Sequence, residues 1–354
     1  SAGYAPQALR RALRKEIAKG TMETISCDVC GEASNTALFC QYDLTHHVTD
    51  DLFTVVRCQG CRLLFLNPRP TREEIGGYYP STYYPEAASR QAGDLRRTAK
   101  RWSGKIRRWI AQDFYGYPAP ESARRWQWAR RLLLWPEFLW RRWRGRGLLP
   151  WAGQGRVLDV GCGSGGNLAV LQEQGWNVSG VDASAVAVAQ AQARFGERVR
   201  QGDLASMAYP ERTFDTVLFS HVLEHLHDPL SLLKEVWRIL DWEGRVVILC
   251  PNAGSLEASM FGRWWFPWEL PRHLFHYERA TLTRLLEAAG FQIESVSTGL
   301  GSLYFMASLD RLCEERFKRA VPCRRLIEKV LIRPFCFCVG HLGHGTELKV
   351  YARK

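Results

Sequence analysis

The sequence contains no apolar run near the roughly 18 residues that a membrane-spanning helix needs. It also has no leader with a charged start, an apolar middle and a small-residue cleavage site. The eleven cysteines are an odd number and include two Cys-x-x-Cys pairs, which disfavours a disulfide framework and favours a reducing compartment. These absences predict a cytoplasmic protein. The 354 residues, 46% of them apolar, can form one large domain with additions or two domains.

Acidic residues are scarce in one segment, residues 90–147, which holds 16 Lys and Arg against 4 Asp and Glu. The rest of the chain balances at 32 against 32, so the net charge of +12 belongs to this segment. Seven of the fourteen tryptophans fall within residues 86–148. The second half of this stretch predicts a helix, kinked or interrupted at Pro136, with an apolar stripe made of Trp128, Leu132, Trp135 and Leu139.

Three interpretations of this basic, tryptophan-rich segment compete. The stripe docks on the following domain as a helical cap, or it lies on an anionic membrane surface with Trp at the headgroup level. Alternatively, Arg and Trp bind nucleic acid through phosphate and stacking contacts. We favour a cap combined with membrane contact.

A glycine-rich turn follows the β-type run Val157–Val160 and leads directly into a helical pattern. Gly161, Gly163 and Gly165 allow positive φ and let a ligand lie against bare backbone. The free N–H groups of the helix point at whatever occupies the turn. Taken alone, this pattern is shared by dinucleotide and nucleotide sites.

Acids at later strand ends make the prediction more specific. Asp182 ends a second short strand about 20 residues on, where a ribose diol is held. Asp203 follows a third strand and suits an adenine amino group, and a fourth strand runs into Ser220. Asp159 lies inside the first strand, which argues against a hydride-transfer site and suits a ligand with a positively charged amino-acid end.

With these motifs in order and at the usual spacing, residues 155–254 resemble a class I S-adenosylmethionine (SAM)-dependent methyltransferase. The resemblance implies a Rossmann-like α/β fold with a seven-stranded sheet, whose last strand, residues 346–352, is antiparallel. It implies SAM as cofactor, with the methionine end held by Asp159, Gly161 and Gly163. Asp182 takes the ribose, Asp203 the adenine, and Ser220 and His221 lie beneath the sulfonium. Further expected cofactor contacts are Cys162, Gly165, Ala183 and Leu204.

The two Cys-x-x-Cys pairs, Cys27 with Cys30 and Cys58 with Cys61, are separated by a segment with strand character. Their spacing matches a four-thiolate zinc ribbon. Four thiolates complete the tetrahedron, so we expect a structural zinc. Cys40 lies between the pairs and is not an expected ligand.

An Asn-Pro-Arg-Pro turn at residues 67–70 and a tyrosine-rich stretch follow the second pair. A zinc ribbon, this turn and tyrosines ahead of a SAM domain resemble bacterial methyltransferases of sugar and cell-envelope pathways, including the sugar C-methyltransferases of antibiotic biosynthesis. The resemblance implies that Tyr79, Tyr83 or Tyr84 reaches the active site; alternatively, these residues only pack the module onto the core. Those C-methyltransferases have a further large C-terminal domain for which this chain is too short, so transfer to a hydroxyl is favoured.

Polar residues after the fourth strand are candidates for the base that a hydroxyl or carbon acceptor needs. His225 is the first choice, with Glu224 orienting it or sharing a metal with it, and His221 nearby. His273, in a predicted substrate wall, and His276 are second candidates. The Leu-Glu-His run resembles ubiquinone-pathway O-methyltransferases, where acids and a histidine can bind a divalent metal. Alternatively, the pair only caps the following turn.

The sequence predicts three parts: a tail and zinc-ribbon module (1–85), a basic helical segment (86–148) and a SAM-dependent methyltransferase domain (149–354). An insertion at about residues 299–345 alternates apolar and basic residues. This pattern fits helices on a core, or a greasy, basic entrance for a lipid-linked substrate.

We therefore expect methyl transfer to a sugar, a lipid-linked glycan or another cell-envelope or secondary-metabolite acceptor, by a protein peripheral to the inner face of a membrane. The alternatives are an RNA or protein methyltransferase and a non-catalytic, membrane-associated SAM-binding scaffold. The fourth strand ends in Phe219-Ser220-His221 and lacks the Asn/Asp-Pro-Pro-aromatic box of enzymes that methylate base amino groups. A nucleic-acid partner is therefore disfavoured.

Overall fold

The computed structural model describes residues 21–80, 104–143 and 147–354. Tyr83, Tyr84 and, within the tryptophan-rich stretch, residues 86–103 and 144–146 fall outside this range. The strands, in chain order, are β1 Met22–Glu23, β2 Asn35–Gln41, β3 Phe53–Cys58, β4 Leu64–Leu66, β5 Arg69–Pro70, β6 Arg156–Val160, β7 Asn177–Asp182, β8 Val199–Gln201, β9 Phe214–Ser220, β10 Leu240–Pro251, β11 Phe275–His276, β12 Gln292–Thr298 and β13 Glu347–Arg353.

The helices are α1 Gly104–Phe114, α2 Glu121–Arg124, α3 Gln127–Trp143, α4 Gly166–Glu173, α5 Ala185–Phe195, α6 Pro229–Ile239, α7 Leu256–Phe261, α8 Arg279–Ala288, α9 Leu303–Leu312, α10 Arg324–Ile327 and α11 Arg333–His341. Among the described residues, none of these helices has the length and apolar composition required to cross a membrane.

Seven strands form one sheet in the order β12-β13-β10-β9-β6-β7-β8. Strands β6 to β9 are parallel, with Val157 opposite both Val178 and Thr216. Backbone hydrogen bonds join Asn252 to Thr346 and Gly244 to Lys354, so β13 runs antiparallel to β10. This topology confirms the predicted α/β fold class and its antiparallel last strand.

The described chain divides into two compact units. We call residues 21–80, 221–234 and 248–351 the ribbon unit, because they include both cysteine pairs. We call residues 104–220, 235–247 and 352–354 the glycine-turn unit. One of the boundaries between the two units falls within β10.

The glycine-turn unit has a continuous apolar core around its parallel strands. Six of the seven β9 residues are buried, as expected for a strand covered on both faces. At its start the buried Asp215 carboxylate accepts from the backbone N–H groups of Gln154 and Arg156 and from the Arg156 guanidinium. These bonds fix the beginnings of β6 and β9 beside each other.

Helix α3 buries the side opposite to the one that the sequence predicted as its docking face. The expected docking stripe is exposed: Trp128, Leu132, Trp135 and Leu139. The helix instead docks through its other side, where Leu134 is buried and Arg130 forms a bidentate pair with buried Asp113 of α1. The interpretation of the stripe as a docking face is therefore wrong. The helix also continues through Pro136.

The ribbon unit contains a four-stranded sheet in the order β11-β4-β3-β2, with antiparallel pairs throughout, and the short pair β1-β5. Between β12 and β13 the chain forms helices α9, α10 and α11. Trp265 is fully buried, and its indole N–H donates to Thr346 Oγ1 over 3.1 Å.

Replacing Trp265 by Ala should lower the free energy of unfolding by about 3–5 kcal/mol, because it removes a buried aromatic side chain and leaves a cavity. The exposed Trp126 provides the matched control, and Trp126→Ala should change stability by no more than about 0.5 kcal/mol. Urea unfolding followed by circular dichroism measures both. Similar midpoints for the two variants would contradict the burial of Trp265.

Candidate functional site

The turn after β6 presents bare backbone. Gly161, Gly163 and Gly165 all have positive φ, at 70°, 54° and 82°. A Cβ placed on Gly163 would meet no atom within 4 Å, whereas one on Gly165 would lie 2.7 Å from the ring of Phe195. Gly165 is thus required by packing, and Gly163 leaves open space in which a ligand can approach the main chain.

Asp182, at the end of β7, braces this turn. One carboxylate oxygen accepts from the backbone N–H of Gly163 and the other from that of Ser184, each over 2.8 Å. Burial raises the pKa of Asp182, and these two N–H donors lower it in part. Each carboxylate oxygen has a second lone pair that can accept from a ribose hydroxyl. Ala183, the next residue, is exposed.

Asp159 is a buried carboxylate, and neither of its oxygens accepts a hydrogen bond of good geometry from a residue that the structure describes. Burial raises its pKa to about 7; the Asn167 side chain lowers it in part, and the charge of Asp182 adds to the increase. An unpaired buried acid is costly unless a ligand supplies the missing partner. The ammonium group of SAM's methionine end has the required charge, so this site fits the cofactor implied by the motifs.

The other expected cofactor residues follow the ends of neighbouring strands of the same unit. Asp203 lies two residues beyond β8, is exposed and accepts from the backbone N–H of Ser206, while Leu204 is buried. Cys162 is buried beside Gly180, whose added Cβ would lie 2.7 Å from its sulfur. Ser220 ends β9. Because the carboxyl ends of parallel strands share one edge, these positions lie along the edge where such sheets bind nucleotides.

In the ribbon unit, the structure brings together a set of residues that we call the histidine cluster: Tyr79, His221, Glu224, His225 and His273. Glu224 is buried, neither of its oxygens accepts a hydrogen bond of good geometry, and the nearest cationic atom is His221 Nδ1 at 3.4 Å. The other ring nitrogen of His221 lies 2.8 Å from Glu347 Oε1.

His221 is a cation at neutral pH. Burial lowers its pKa, but the bonds and charges of Glu224 and Glu347 outweigh burial and raise the pKa to about 10. Burial raises the pKa of Glu224, but the contact with His221 outweighs burial and lowers the pKa of Glu224 to about 2. His221 therefore holds Glu224 ionised and is not itself a proton acceptor at neutral pH.

His225 has the opposite electrostatic character. Burial, followed by the charge of His273, lowers its pKa to about 4, so the imidazole is neutral at pH 7. Its Nδ1 lies 3.1 Å from the carbonyl oxygen of Arg272 and 3.0 Å from the Tyr79 hydroxyl. A carbonyl can only accept, so the bond to Arg272 requires the proton on Nδ1 and leaves a lone pair on Nε2.

Arg272 and Asp43 form a buried ion pair that is linked to the cluster through the Arg272 carbonyl. Both side chains are fully buried, and the two guanidinium nitrogens of Arg272 bind the two Asp43 oxygens at 2.8 and 3.1 Å. Burial raises the pKa of Asp43, but Arg272 outweighs burial and lowers this pKa to about 2. The next residue, His273, donates from Nδ1 to the Pro267 carbonyl over 2.7 Å, and its ring lies 4.6 Å from that of His225.

One ligand atom from each of Glu224, His225 and His273 lies within 4.8 Å of the other two. This spacing admits a divalent cation, and the active-site metal expected from the sequence stays a prediction. His276 is buried, with its pKa well below the usual range because of burial, and its ring packs on Trp268. His276 therefore lies in the core of the ribbon unit.

The four expected zinc ligands converge in the ribbon unit. Ligand atoms of Cys27, Cys30, Cys58 and Cys61 lie within 4.8 Å of one another, with sulfur pairs at 3.4 and 3.5 Å. Four sulfurs on one zinc are about 3.8 Å apart, given zinc–sulfur bonds of about 2.3 Å. The thiols therefore fit a tetrahedral metal ion. Cys40 instead lies 3.3 Å from Thr54 Oγ1.

The edge of parallel strands, with its glycine turn and unpaired acid, defines a nucleoside-binding site of the kind found in class I SAM-dependent methyltransferases. Comparison with known proteins agrees: residues 119–296, half of the chain, match the family model described as a methyltransferase domain. The chain belongs to this methyltransferase family, and SAM is the cofactor that the family implies.

Among curated relatives, a probable S-adenosylmethionine-dependent methyltransferase of Mycolicibacterium smegmatis is 32% identical over 39% of this chain and 52% of its own length. A ubiquinone biosynthesis O-methyltransferase of Thiobacillus denitrificans is 31% identical over 42% of this chain and 68% of its own. The chain spans about half the length of the first of these relatives. A solved SAM-dependent methyltransferase of Archaeoglobus fulgidus is 23% identical over 64% of this chain and 94% of its own, with a TM-score of 0.40.

The state of Asp159 predicts a pH dependence of cofactor binding. Its carboxyl has a pKa of about 7 without ligand, and a bound ammonium group favours the ionised form. Affinity for the demethylated product S-adenosylhomocysteine should therefore fall as pH decreases below about 7, by up to about tenfold per pH unit. Isothermal titration calorimetry from pH 8 to 5.5 measures this.

Asp159→Asn should bind more weakly and with little change across that range, because its amide does not titrate. Asp203→Asn is the control: the residue is exposed, so its replacement should leave the pH dependence in place. A wild-type affinity that does not vary with pH would contradict a direct role for the Asp159 carboxylate.

Proposed function

We propose that the protein transfers the methyl group of SAM to a hydroxyl, or less readily a carbon, of a small-molecule acceptor, with His225 as general base. The observation that carries this proposal is the neutral, half-buried His225 imidazole with its lone pair on Nε2. In the sequence, His221 of the cluster directly follows Ser220, the expected cofactor residue that ends β9.

Each residue has a defined task in this proposal. Bound SAM supplies an electrophilic methyl group on a sulfonium. Asp159 and Asp182 would hold the cofactor, whose sulfonium would supply the methyl group, and His225 Nε2 would take the proton of the acceptor hydroxyl. The charge that develops on His225 is favoured by Glu224 and Glu269, which both raise its pKa against burial.

Tyr79 is the tyrosine that we propose for the active site. Its hydroxyl lies 3.0 Å from His225 Nδ1, so it helps to fix the plane of the imidazole. Tyr79 belongs to the stretch that the sequence singled out. This contact supports a role beyond packing of the module.

We propose a lipid-linked glycan or another cell-envelope molecule as the acceptor, methylated at the inner face of a membrane by a cytoplasmic, peripheral protein. The insertion supports this, because it exposes apolar side chains among basic ones, in the same unit as the histidine cluster. The exposed apolar residues are Leu303, Phe317, Leu326, Val330, Leu331 and Leu342. The similarity to ubiquinone biosynthesis O-methyltransferases favours oxygen as the methylated atom.

His225→Ala should reduce turnover by about 10²–10⁴-fold while leaving the affinity for S-adenosylhomocysteine unchanged, because His225 takes the proton and does not bind the cofactor. Formation of S-adenosylhomocysteine is measured with polyprenyl-diphosphate-linked sugars, nucleoside-diphosphate sugars, phenols, RNA and unfolded protein as acceptors. His344→Ala, at an exposed position, is the matched control and should retain turnover.

Turnover that survives in His225→Ala would remove His225 from the mechanism. Methylation of RNA or protein alone would replace the proposed acceptor class. Tight cofactor binding with no transfer to any acceptor would favour a non-catalytic SAM-binding protein.

We also propose that the four cysteines hold one structural zinc. Purified protein should contain about one zinc per chain, measured by plasma mass spectrometry, and should lose thermal stability on chelation. Cys58→Ser should lose the metal, whereas Cys40→Ser should keep it, because Cys40 contacts Thr54 instead. Equal zinc content in the two variants would contradict the proposed ligand set.

A further inference from the structure

Helix α3 exposes an apolar surface that we call its outward face: Trp128, Leu132, Trp135 and Leu139. These side chains are between 44 and 74% exposed. Over the same helix Leu134 and Arg141 are buried. A helix that turns its large apolar residues to solvent while burying an arginine has the reverse of the usual amphipathic arrangement. Contiguous exposed apolar residues of this kind mark an interaction surface.

The inner side of α3 is held by specific contacts, so the outward face is not an accident of loose packing. The Arg130 guanidinium binds both oxygens of Asp113 at 2.8 and 3.0 Å, and the Asp113 side chain is fully buried. The rings of Phe138 and Phe114 stack with centroids 4.3 Å apart. Rotating the helix to bury the tryptophans would break the ion pair and leave Asp113 buried without a partner, which is strongly unfavourable.

The chemistry of the face identifies its partner. Trp and Leu beside Arg is the composition of helices that lie in the interface of an anionic bilayer, with indoles at headgroup depth and guanidinium groups towards lipid phosphate. Arg124, Arg125 and Arg142 are exposed around the face, within the segment that carries 16 Lys and Arg against 4 acids. A second copy of this chain would bring the same positive charge, and the leucines provide no stacking surface for nucleobases.

We propose that the outward face of α3 docks in the plane of an anionic lipid bilayer. Its 17 residues extend over about 25 Å, so several apolar side chains can enter the interface together. This inference concerns a surface of the glycine-turn unit, and its test does not depend on the proposed methyl transfer.

The test is co-sedimentation of the full chain with vesicles. The protein should bind mixed phosphatidylcholine–phosphatidylglycerol vesicles, bind phosphatidylcholine vesicles far more weakly, and lose affinity as salt increases. Trp128→Ser/Leu132→Asn should weaken binding to the mixed vesicles by about tenfold or more, because two of the inserting side chains are removed.

The matched control is Val186→Asn/Trp242→Ser, which removes two comparably exposed apolar residues of the same unit outside α3 and should bind as wild type. Both double variants should retain wild-type affinity for S-adenosylhomocysteine, which shows that the unit is folded. If the enzyme binds vesicles but methylates no acceptor, the proposed function fails and the docking surface stands.

Equal vesicle binding by the two double variants would overturn the proposal. So would an absence of vesicle binding together with dimerisation, measured by analytical ultracentrifugation, that Trp128→Ser/Leu132→Asn abolishes; the face would then join two copies. Binding of a single-stranded RNA that is sensitive to this variant, without vesicle binding, would likewise overturn it.

Discussion

The buried ion pair between Arg272 and Asp43 is the interaction on which the ribbon unit's chemistry depends. The Asp43 carboxylate also accepts hydrogen bonds from the backbone N–H groups of Thr45, His46 and Val48, so its loop closes around the carboxylate. The Arg272 carbonyl in turn fixes the proton of His225. Removing Arg272 would leave the Asp43 carboxylate buried without its cation, at a cost of about 3–5 kcal/mol. The loop that follows β2 in the ribbon unit therefore helps to position His225, which lies 182 residues after Asp43 in the chain.

Two buried carboxylates, one in each unit, accept no hydrogen bond of good geometry within the described part of the chain. Asp159 is uncharged over part of the physiological range, with a pKa near 7, while Glu224 is kept ionised by His221. We propose different tasks for the two acids. Asp159 would gain a partner when a cationic ligand binds, and Glu224 would provide a negative charge beside the His225 imidazole as it accepts a proton.

The sequence was sufficient for features set by local spacing. The glycine turn, the acids at successive strand ends and the two cysteine pairs all lie in short motifs, and the rule that parallel strands end at one edge brings the acids together. Helix period revealed the α3 stripe but not which side would face inwards, because that depends on Asp113 in another helix. Arg272 and Asp43 are 229 residues apart, and nothing in either local sequence pairs them. Glu347, whose contact raises the pKa of His221, lies 126 residues from it in the chain.

Methyl transfer to a small-molecule acceptor is tested most directly by following a labelled methyl group. The full chain is incubated with SAM carrying a tritiated methyl and with a solvent extract of bacterial membranes, and lipid, aqueous, RNA and protein fractions are counted. We expect label in a molecule that is neither protein nor nucleic acid, in molar excess over the enzyme. We expect none with Asp182→Asn, whose amide weakens the hold on the glycine turn and the ribose. Label that remains on SAM in every fraction, although SAM binds, would contradict this expectation.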